Sequence, residues 1–114
     1  MLISKIFKFD SAHKLPNYIG KCSNLHGHTW ELVVGCEGEV DKKTGMIIDF
    51  KEIKSIVQEK ILNKLDHIYL NDLIENPTCE NILLWIKKEL KPGLNGLKKL
   101  VLYETDSSFC ELEC

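Results

Sequence analysis

The segment His26-Gly27-His28-Thr29-Trp30-Glu31-Leu32-Val33-Val34-Gly35-Cys36-Glu37 decides the fold of this chain. Successive side chains of a β-strand point to opposite faces, so residues of one parity share a face. In this segment one parity consists of His26, His28, Trp30, Leu32, Val34 and Cys36. The alternation predicts a strand whose apolar face ends in two histidines.

The flanking segments predict the partners of this strand. Leu2 to about His13 favours a first strand with the same alternation, and residues 14–25 form a loop after it. After the central strand, the turn residues 38–45 precede the short apolar run Met46-Ile47-Ile48. We predict that this run is the third strand of a hairpin.

Two helices are predicted next. Asp49 lies three residues before Glu52, as in a capping box, and apolar residues recur at helical spacing to about Lys64. A second helix begins after Asn76-Pro77-Thr78, which supplies capping groups and an early proline, and it ends at Pro92-Gly93.

A last strand is predicted from Leu97 to Asp106, which gives the order β-β-β-α-α-β. This order favours the α+β class: a four-stranded antiparallel sheet with two helices on one face, in a single domain over residues 1–114. The other face keeps apolar residues such as Val33, Val101 and Tyr103, which the helices of one chain cannot cover. We therefore expect a homo-oligomer.

The composition excludes several classes of function. The formal net charge is −2, without a basic stripe or tail, so we expect no nucleic-acid partner. No apolar run reaches the roughly 18 to 20 residues of a membrane span and no secretory signal is recognised, which predicts a cytoplasmic protein without a membrane partner. The five cysteines are therefore expected to be thiols. All fifteen basic residues are lysines, so any phosphate is met by ammonium or backbone N–H groups.

Three of the four histidines predict a metal site. His26 and His28 share one strand face, and His13 reaches them if the first two strands pair. Three neutral imidazoles with an open fourth position are a ligand set for catalytic Zn²⁺, which acts as a Lewis acid on substrate oxygens. The alternatives are ordinary core or surface histidines, and ferrous iron held by two histidines and Asp10 or Glu31.

Cys22 lies four residues before His26, in the loop between the first two strands. Beside a metal and Lys21, its thiolate would act as a proton acceptor or nucleophile. Two alternative interpretations of Cys22 are the fourth ligand of a closed structural zinc site and an ordinary buried thiol like Cys36. Spacing alone does not separate these possibilities.

Four further residues are candidates on weaker patterns. Asp66 would fix the tautomer of the adjacent His67 if the chain turns there, although a helix-end histidine is the simpler interpretation. Glu104 shares the parity of two leucines of the last strand, where it would bind the two parallel N–H groups of a 2-amino-4-oxo heterocycle, or it faces solvent or an interface. Thr78 is first a helix cap and only second a ligand contact.

Six separated motifs together resemble the 6-pyruvoyltetrahydropterin synthase family. In chain order they are Phe9-Asp10-Ser11-Ala12-His13-Lys14-Leu15, Cys22-Ser23-Asn24-Leu25-His26-Gly27-His28, Gly45-Met46-Ile47-Ile48-Asp49-Phe50, Leu65-Asp66-His67-Ile68-Tyr69-Leu70-Asn71-Asp72, Asn76-Pro77-Thr78-Cys79-Glu80-Asn81 and Glu104-Thr105. The short Cys-x-x-x-His-Gly-His form is similar to the bacterial 6-carboxytetrahydropterin synthase branch, which serves queuosine and 7-deazapurine biosynthesis.

The resemblance implies a tunnelling fold, in which subunits pool their sheets into an oligomeric barrel as trimers or hexamers, with active sites between subunits. It implies a zinc-dependent lyase that converts 7,8-dihydroneopterin triphosphate to 6-carboxytetrahydropterin, with release of acetaldehyde and triphosphate. A lyase with a 6-pyruvoyl product and a non-catalytic, zinc-stabilised pterin-binding oligomer are the alternatives. By the same resemblance, the site residues are the zinc ligands His13, His26 and His28 and the catalytic residues Cys22, Asp66, His67 and Glu104, of which Glu104 anchors the pterin ring.

The chain departs from the family pattern at a few positions. Cys79 stands where a small Ala or Ser is more usual, and Lys14 stands where Arg is common. The tail is unusual because it carries both Cys110 and Cys114.

Overall fold

A computed structural model describes residues 1–114, and its four strands form one antiparallel sheet in the order β1-β2-β3-β4. The strands are β1 (Leu2–His13), β2 (His26–Glu37), β3 (Leu97–Thr105) and β4 (Ser108–Glu113). The predicted class and the first two strands are confirmed, since β1 pairs with β2 along its whole length from Leu2↔Glu37 to His13↔His26.

The prediction of a strand at residues 46–48 was wrong, because local hydrogen bonds fold the preceding segment into turns. The Asp41 carboxylate accepts the backbone N–H groups of Lys43 and Thr44 at 2.8 and 3.0 Å. The Gly45 N–H donates to the Asp41 carbonyl oxygen at 2.8 Å. An aspartate that bonds the backbone in this way competes with strand formation, and the position beside β2 is occupied by β3.

The fourth strand, β4, lies outside the predicted elements. It forms a hairpin with β3, in which Leu100 pairs with Leu112 and Leu102 pairs with Cys110. The element order is therefore β-β-α-α-β-β, and β3 ends at Thr105 rather than Asp106, where the hairpin turns.

The helical segments are α1 (Phe50–Val57), a π-helical segment (Gln58–Leu62), α2 (Asn63–Leu65) and α3 (Cys79–Leu90), with 3-10 turns at Lys21–Ser23 and Leu70–Asp72. The Asp49 carboxylate accepts the Lys51 N–H at 2.8 Å and caps α1. The Thr78 hydroxyl oxygen accepts the Asn81 N–H at 3.1 Å and caps α3. Both predicted helices are confirmed, the first as a continuous stretch over residues 50–65.

The core lies between the helices and one face of the sheet. Nineteen buried apolar residues form a single cluster, to which the sheet contributes large side chains such as Phe9, Trp30 and Leu102. Ile53 and Ile86 are among the helical residues that meet them. Each such side chain stabilises the fold by about 1.5–3 kcal/mol. None of the helices has the length and hydropathy of a membrane-spanning segment.

Candidate metal centre and active site

Three histidines meet where β1 ends and β2 begins. His13 pairs with His26 across the two strands, and His28 follows two residues later on the same face. The ring centroids are 4.6, 5.1 and 4.8 Å apart. One nitrogen from each ring lies within 4.8 Å of the other two, so strand pairing alone brings the three predicted ligands together.

Backbone carbonyls orient two of these rings. His13 Nδ1 lies 2.8 Å from the carbonyl oxygen of Pro77, and His26 Nδ1 lies 2.7 Å from that of Asn24. Because a carbonyl only accepts hydrogen bonds, each Nδ1 carries the proton and each Nε2 presents a lone pair.

The cluster fits a metal ion, because two of its nitrogens are otherwise unsatisfied. The Nε2 atoms of His13 and His28 are buried and have no hydrogen-bond partner. A buried polar atom without a partner costs about 1–3 kcal/mol. A metal bound by these nitrogens would remove that cost, and imidazole is a ligand for several transition metals.

Burial keeps the histidines in the form that a metal needs. It is the largest cause that lowers the pKa of His13 and of His28 below the ordinary 6.5, and the neighbouring histidines lower both values further. The Glu104 carboxylate opposes this shift without reversing it. Both rings are therefore neutral near pH 7 and keep their lone pairs.

Glu104 of β3 lies directly beside the cluster. Its Oε1 atom is 3.7 Å from His28 Nε2, a contact that is not an ion pair while the imidazole is neutral. The carboxylate borders a cavity of about 290 Å³, together with Cys79, Glu80, Ser108, Phe109 and Cys110. Thr78 is the residue before Cys79 in the chain. Its hydroxyl oxygen accepts a hydrogen bond as the helix cap, so its hydroxyl hydrogen is still available to a ligand.

Cys22 lies outside the group of metal-binding atoms. It is a half-buried free thiol on the 3-10 turn Lys21–Ser23, where its carbonyl oxygen accepts the Leu15 N–H at 2.9 Å. Its sulfur is not part of the 4.8 Å histidine group, so the closed four-ligand site is not assembled. Three protein ligands leave an open position, as in catalytic metal sites.

Asp66 and His67 form a hydrogen-bonded pair at a left-handed turn. His67 has φ 59°, which turns two adjacent side chains towards each other, and its Nδ1 lies 2.9 Å from Asp66 Oδ1. The backbone of Asp10 holds both residues: its N–H donates to Asp66 Oδ1 at 2.9 Å, and its carbonyl accepts the His67 N–H at 2.6 Å. Backbone strain of this kind is concentrated at functional sites.

The charge of this pair is fixed by the same contacts. The Asp10 N–H is the largest cause that holds the pKa of the Asp66 carboxyl below its ordinary 3.8, and His67 adds to the shift. Asp66 is therefore ionised at neutral pH. An ionised carboxylate at Nδ1 fixes the His67 tautomer, so Nε2 is left to accept a proton.

The pair and the histidine cluster lie on opposite faces of β1. Ligand atoms of Asp10, Asp66 and His67 lie within 4.8 Å of one another, and the Asp10 carboxylate accepts the Thr29 hydroxyl at 2.5 Å. Asp10 has the opposite strand parity to His13, and the His67 side chain is 77% exposed. The ligand atoms of one chain therefore form two separate groups, although His28 and His67 both border a cavity of about 500 Å³.

The same parity excludes one predicted alternative. Asp10 and Glu31 were candidate third ligands of an iron site, but their strand parity is opposite to that of the histidines. Sequence reasoning also missed that the Asp10 backbone holds the Asp66–His67 pair. No local pattern signals such a contact, because 56 residues separate Asp10 from Asp66.

The chain is similar to known proteins over its full length. The family model described as 6-pyruvoyl tetrahydropterin synthase matches residues 2–114. The chain is 42% identical to a dihydroneopterin monophosphate aldolase of Pyrococcus furiosus, over 92% of this chain and 90% of the relative. It is 39% identical to a 6-carboxy-5,6,7,8-tetrahydropterin synthase of Synechocystis, over 94% and 88%. The solved 6-pyruvoyl tetrahydropterin synthase of Caenorhabditis elegans superposes with a TM-score of 0.91 at 25% identity, covering 100% of this chain and 95% of that one.

Proposed function

The chain belongs to the 6-pyruvoyl tetrahydropterin synthase family of enzymes, and from this premise we propose that it is a 6-carboxy-5,6,7,8-tetrahydropterin synthase. The reaction would convert 7,8-dihydroneopterin triphosphate and one water molecule to 6-carboxytetrahydropterin, acetaldehyde and triphosphate. The observation that carries the proposal is the three-histidine cluster with Glu104 3.7 Å from it in the wall of a cavity. Relatives with this activity in their names are 36% and 39% identical over nearly the whole chain.

The proposed metal is Zn²⁺, held by His13, His26 and His28. The orphaned Nε2 atoms and the neutral rings support this assignment. When bound, zinc supplies a Lewis acid that polarises substrate oxygens.

The proposed roles of the other residues follow from their chemistry. Glu104 accepts the two parallel N–H groups of the 2-amino-4-oxopyrimidine ring and holds the ring in register. Cys22 and His67 move protons between the side-chain carbons and the pterin ring, with His67 oriented by Asp66. Expulsion of triphosphate follows once a proton has left the adjacent carbon. Thr78 is a secondary substrate contact.

A complete site in this proposal needs a second copy of the chain. Cys22 and the histidines would come from one subunit and the Asp66–His67 pair from its neighbour, because one chain holds them on opposite faces of β1. The sheet face turned away from the helices leaves Ile6 59% and Phe109 55% exposed, which favours burial between subunits. The proposed assembly is a homo-oligomeric barrel, a trimer or a hexamer.

A second candidate is aldol cleavage of 7,8-dihydroneopterin monophosphate. The 42% identical relative has this activity in its name. Because the chain has no arginine, it lacks the bidentate groups that bind phosphate well, and a single phosphate is easier for it to bind than a triphosphate. Cleavage of the bond between the first two side-chain carbons would yield 6-hydroxymethyl-7,8-dihydropterin and glycolaldehyde phosphate.

The test offers both substrates to the zinc-loaded protein in parallel and identifies the pterin products by mass spectrometry, with an acetaldehyde assay. Carboxytetrahydropterin with one acetaldehyde per turnover is the expected result. A pyruvoyl product without acetaldehyde would assign the other synthase reaction, and turnover of the monophosphate alone would assign the aldolase.

Cys22→Ala is the matched control for a purely structural metal site. It should abolish turnover and leave one zinc per chain. Loss of stoichiometric zinc in this variant, or no turnover of either substrate by the unchanged protein, would instead support a non-catalytic, zinc-stabilised pterin-binding oligomer.

A further inference from the structure

Two cysteines that the proposed mechanism does not use lie in contact beside Glu104. Cys79 is the first residue of α3, and Cys110 is on β4, opposite Leu102 in the hairpin. Their Sγ atoms are 3.1 Å apart, and Cys79 also donates to the Leu102 carbonyl oxygen at 3.3 Å. The pair therefore joins the start of a helix to a strand that is 31 residues away in the chain.

Both thiols border the cavity of about 290 Å³ that also contains the Glu104 carboxylate. A small reagent reaches them through this cavity without unfolding of the chain, since both residues are only partly buried. Cys36, in contrast, is 1% exposed and lies in the core. The accessible, contacting thiols are thus the ones beside the carboxylate.

We infer that Cys79 and Cys110 are a reversible modification site, which closes to an intramolecular disulfide by exchange with a low-molecular-weight disulfide. One thiolate attacks the small disulfide, which leaves a mixed disulfide on the protein and releases one small thiol. The second cysteine then attacks the protein sulfur of that mixed bond and releases the second small thiol. The two cysteines lose two electrons and two protons, and the small disulfide is reduced to two thiols.

The surroundings of the pair make this exchange slow at neutral pH. Burial is the largest cause that raises the pKa of both thiols; the Glu104 carboxylate of β3 raises both pKa values further, and Glu80 of α3 raises that of Cys110. Only the thiolate reacts, so the rate should rise by about tenfold per pH unit from pH 7 to pH 8. Under reducing conditions both cysteines therefore stay thiols, and the disulfide forms only under sustained oxidation.

A bond between the two sulfurs would reshape the cavity. The S–S bond is about 2.05 Å long, so the sulfurs must approach by about 1 Å from their present separation. The two side chains would rotate, or the first turn of α3 or strand β4 would shift, to close this gap. Both elements line the space beside Glu104.

The test treats the metal-loaded full-length protein with oxidised glutathione, traps free thiols with N-ethylmaleimide, and maps the peptides by mass spectrometry. The expected result is loss of two thiols per chain in a Cys79–Cys110 peptide, reversed by dithiothreitol. Cys79→Ala and Cys110→Ala should each abolish the product. Cys114→Ser, which removes the other cysteine of the tail, should leave it unchanged.

Full alkylation of both cysteines after oxidation, or pairing of either with Cys22 or Cys114, would overturn the inference. The mapping needs no variant, so it decides the matter even if a substitution unfolds the protein. A parallel arm adds neopterin, which should slow the oxidation by covering the cavity. If the disulfide forms at equal rates with and without neopterin, the inference about Cys79 and Cys110 holds and the proposed position of the pterin at Glu104 is contradicted.

Discussion

The histidine cluster and the Asp66–His67 pair flank the same strand but are built in opposite ways. In the cluster His13 is buried and the other two histidines are half-buried, the rings of His13 and His28 are neutral, and two nitrogens have no partner in the chain. The pair carries a charge, is exposed, and has its hydrogen bonds satisfied by the Asp10 backbone. The first region therefore offers free nitrogens to a metal, and the second presents an oriented imidazole at the surface.

The largest effect should come from the exposed region. His67→Ala should lower kcat by about 10²–10⁴, because a positioned acid–base group is lost, while zinc content stays at one per chain. Steady-state kinetics with metal analysis checks both parts. Asp66→Asn is the matched control, since it keeps the side-chain shape and should lower kcat less than His67→Ala does. A zinc loss in either variant would show that the two regions are not independent.

In the buried region, His26→Ala should weaken zinc binding more than about a hundredfold, the upper range for loss of a mere outer-shell partner. His26 is the most suitable ligand to remove. Its neighbour His13 is fully buried, so removal of the His13 ring would leave a cavity in the core. Competition with a chromophoric chelator measures the affinity. His67→Ala serves as the control that keeps all three ligands, and unchanged affinity in His26→Ala would remove it from the metal site.

The two regions also differ in how far the sequence predicts them. The histidine cluster follows from strand parity and from pairing of two adjacent strands, which are local and periodic signals. The Asp66–His67 geometry depends on Asp10, 56 residues away, and on a positive φ at a residue other than glycine, which no periodicity encodes.

Similar physics explains the errors in the fold. Residues 46–48 have strand-like composition, yet the side chain of Asp41 bonds the backbone and turns the chain first. Strand β4 alternates as strands do, with Cys110 and Leu112 towards the core and Glu111 and Glu113 on the other face, but it is only six residues long, so its apolar signal is weak. It is stabilised by the hairpin with β3 rather than by its own pattern.

The opposite placement of the two regions is tested by mixing subunits. Cys22→Ala and His67→Ala homo-oligomers are each expected to be inactive, but refolding them together in equal amounts should restore about a quarter of the wild-type activity if each site takes the two residues from different copies. The His26→Ala and Cys22→Ala variants, whose changes fall in the same part of the site, are the matched control and should stay inactive when mixed. No recovery in the first mixture would mean that one chain completes its own site.

The smallest effect separates the two regions by pH. In the metal-free protein, His13 and His28 have folded pKa values below 6.5, so the unfolded chain binds protons first as the pH falls. Their contribution to stability is present above pH 6.5 and is lost below it, by at most about 1.4 kcal/mol per pH unit for each histidine. The lowered pKa of Asp66 acts in a separate pH window, since its contribution to stability is present above pH 3.8 and is lost only below that value.

Thermal unfolding measured from pH 7.5 to 5 should therefore show a decline in stability that His28→Gln reduces and Asp66→Asn does not. Saturating zinc should shift that decline to lower pH, because protons then compete with the metal for the same nitrogens; an identical pH profile with and without zinc would contradict the placement of the metal on these rings.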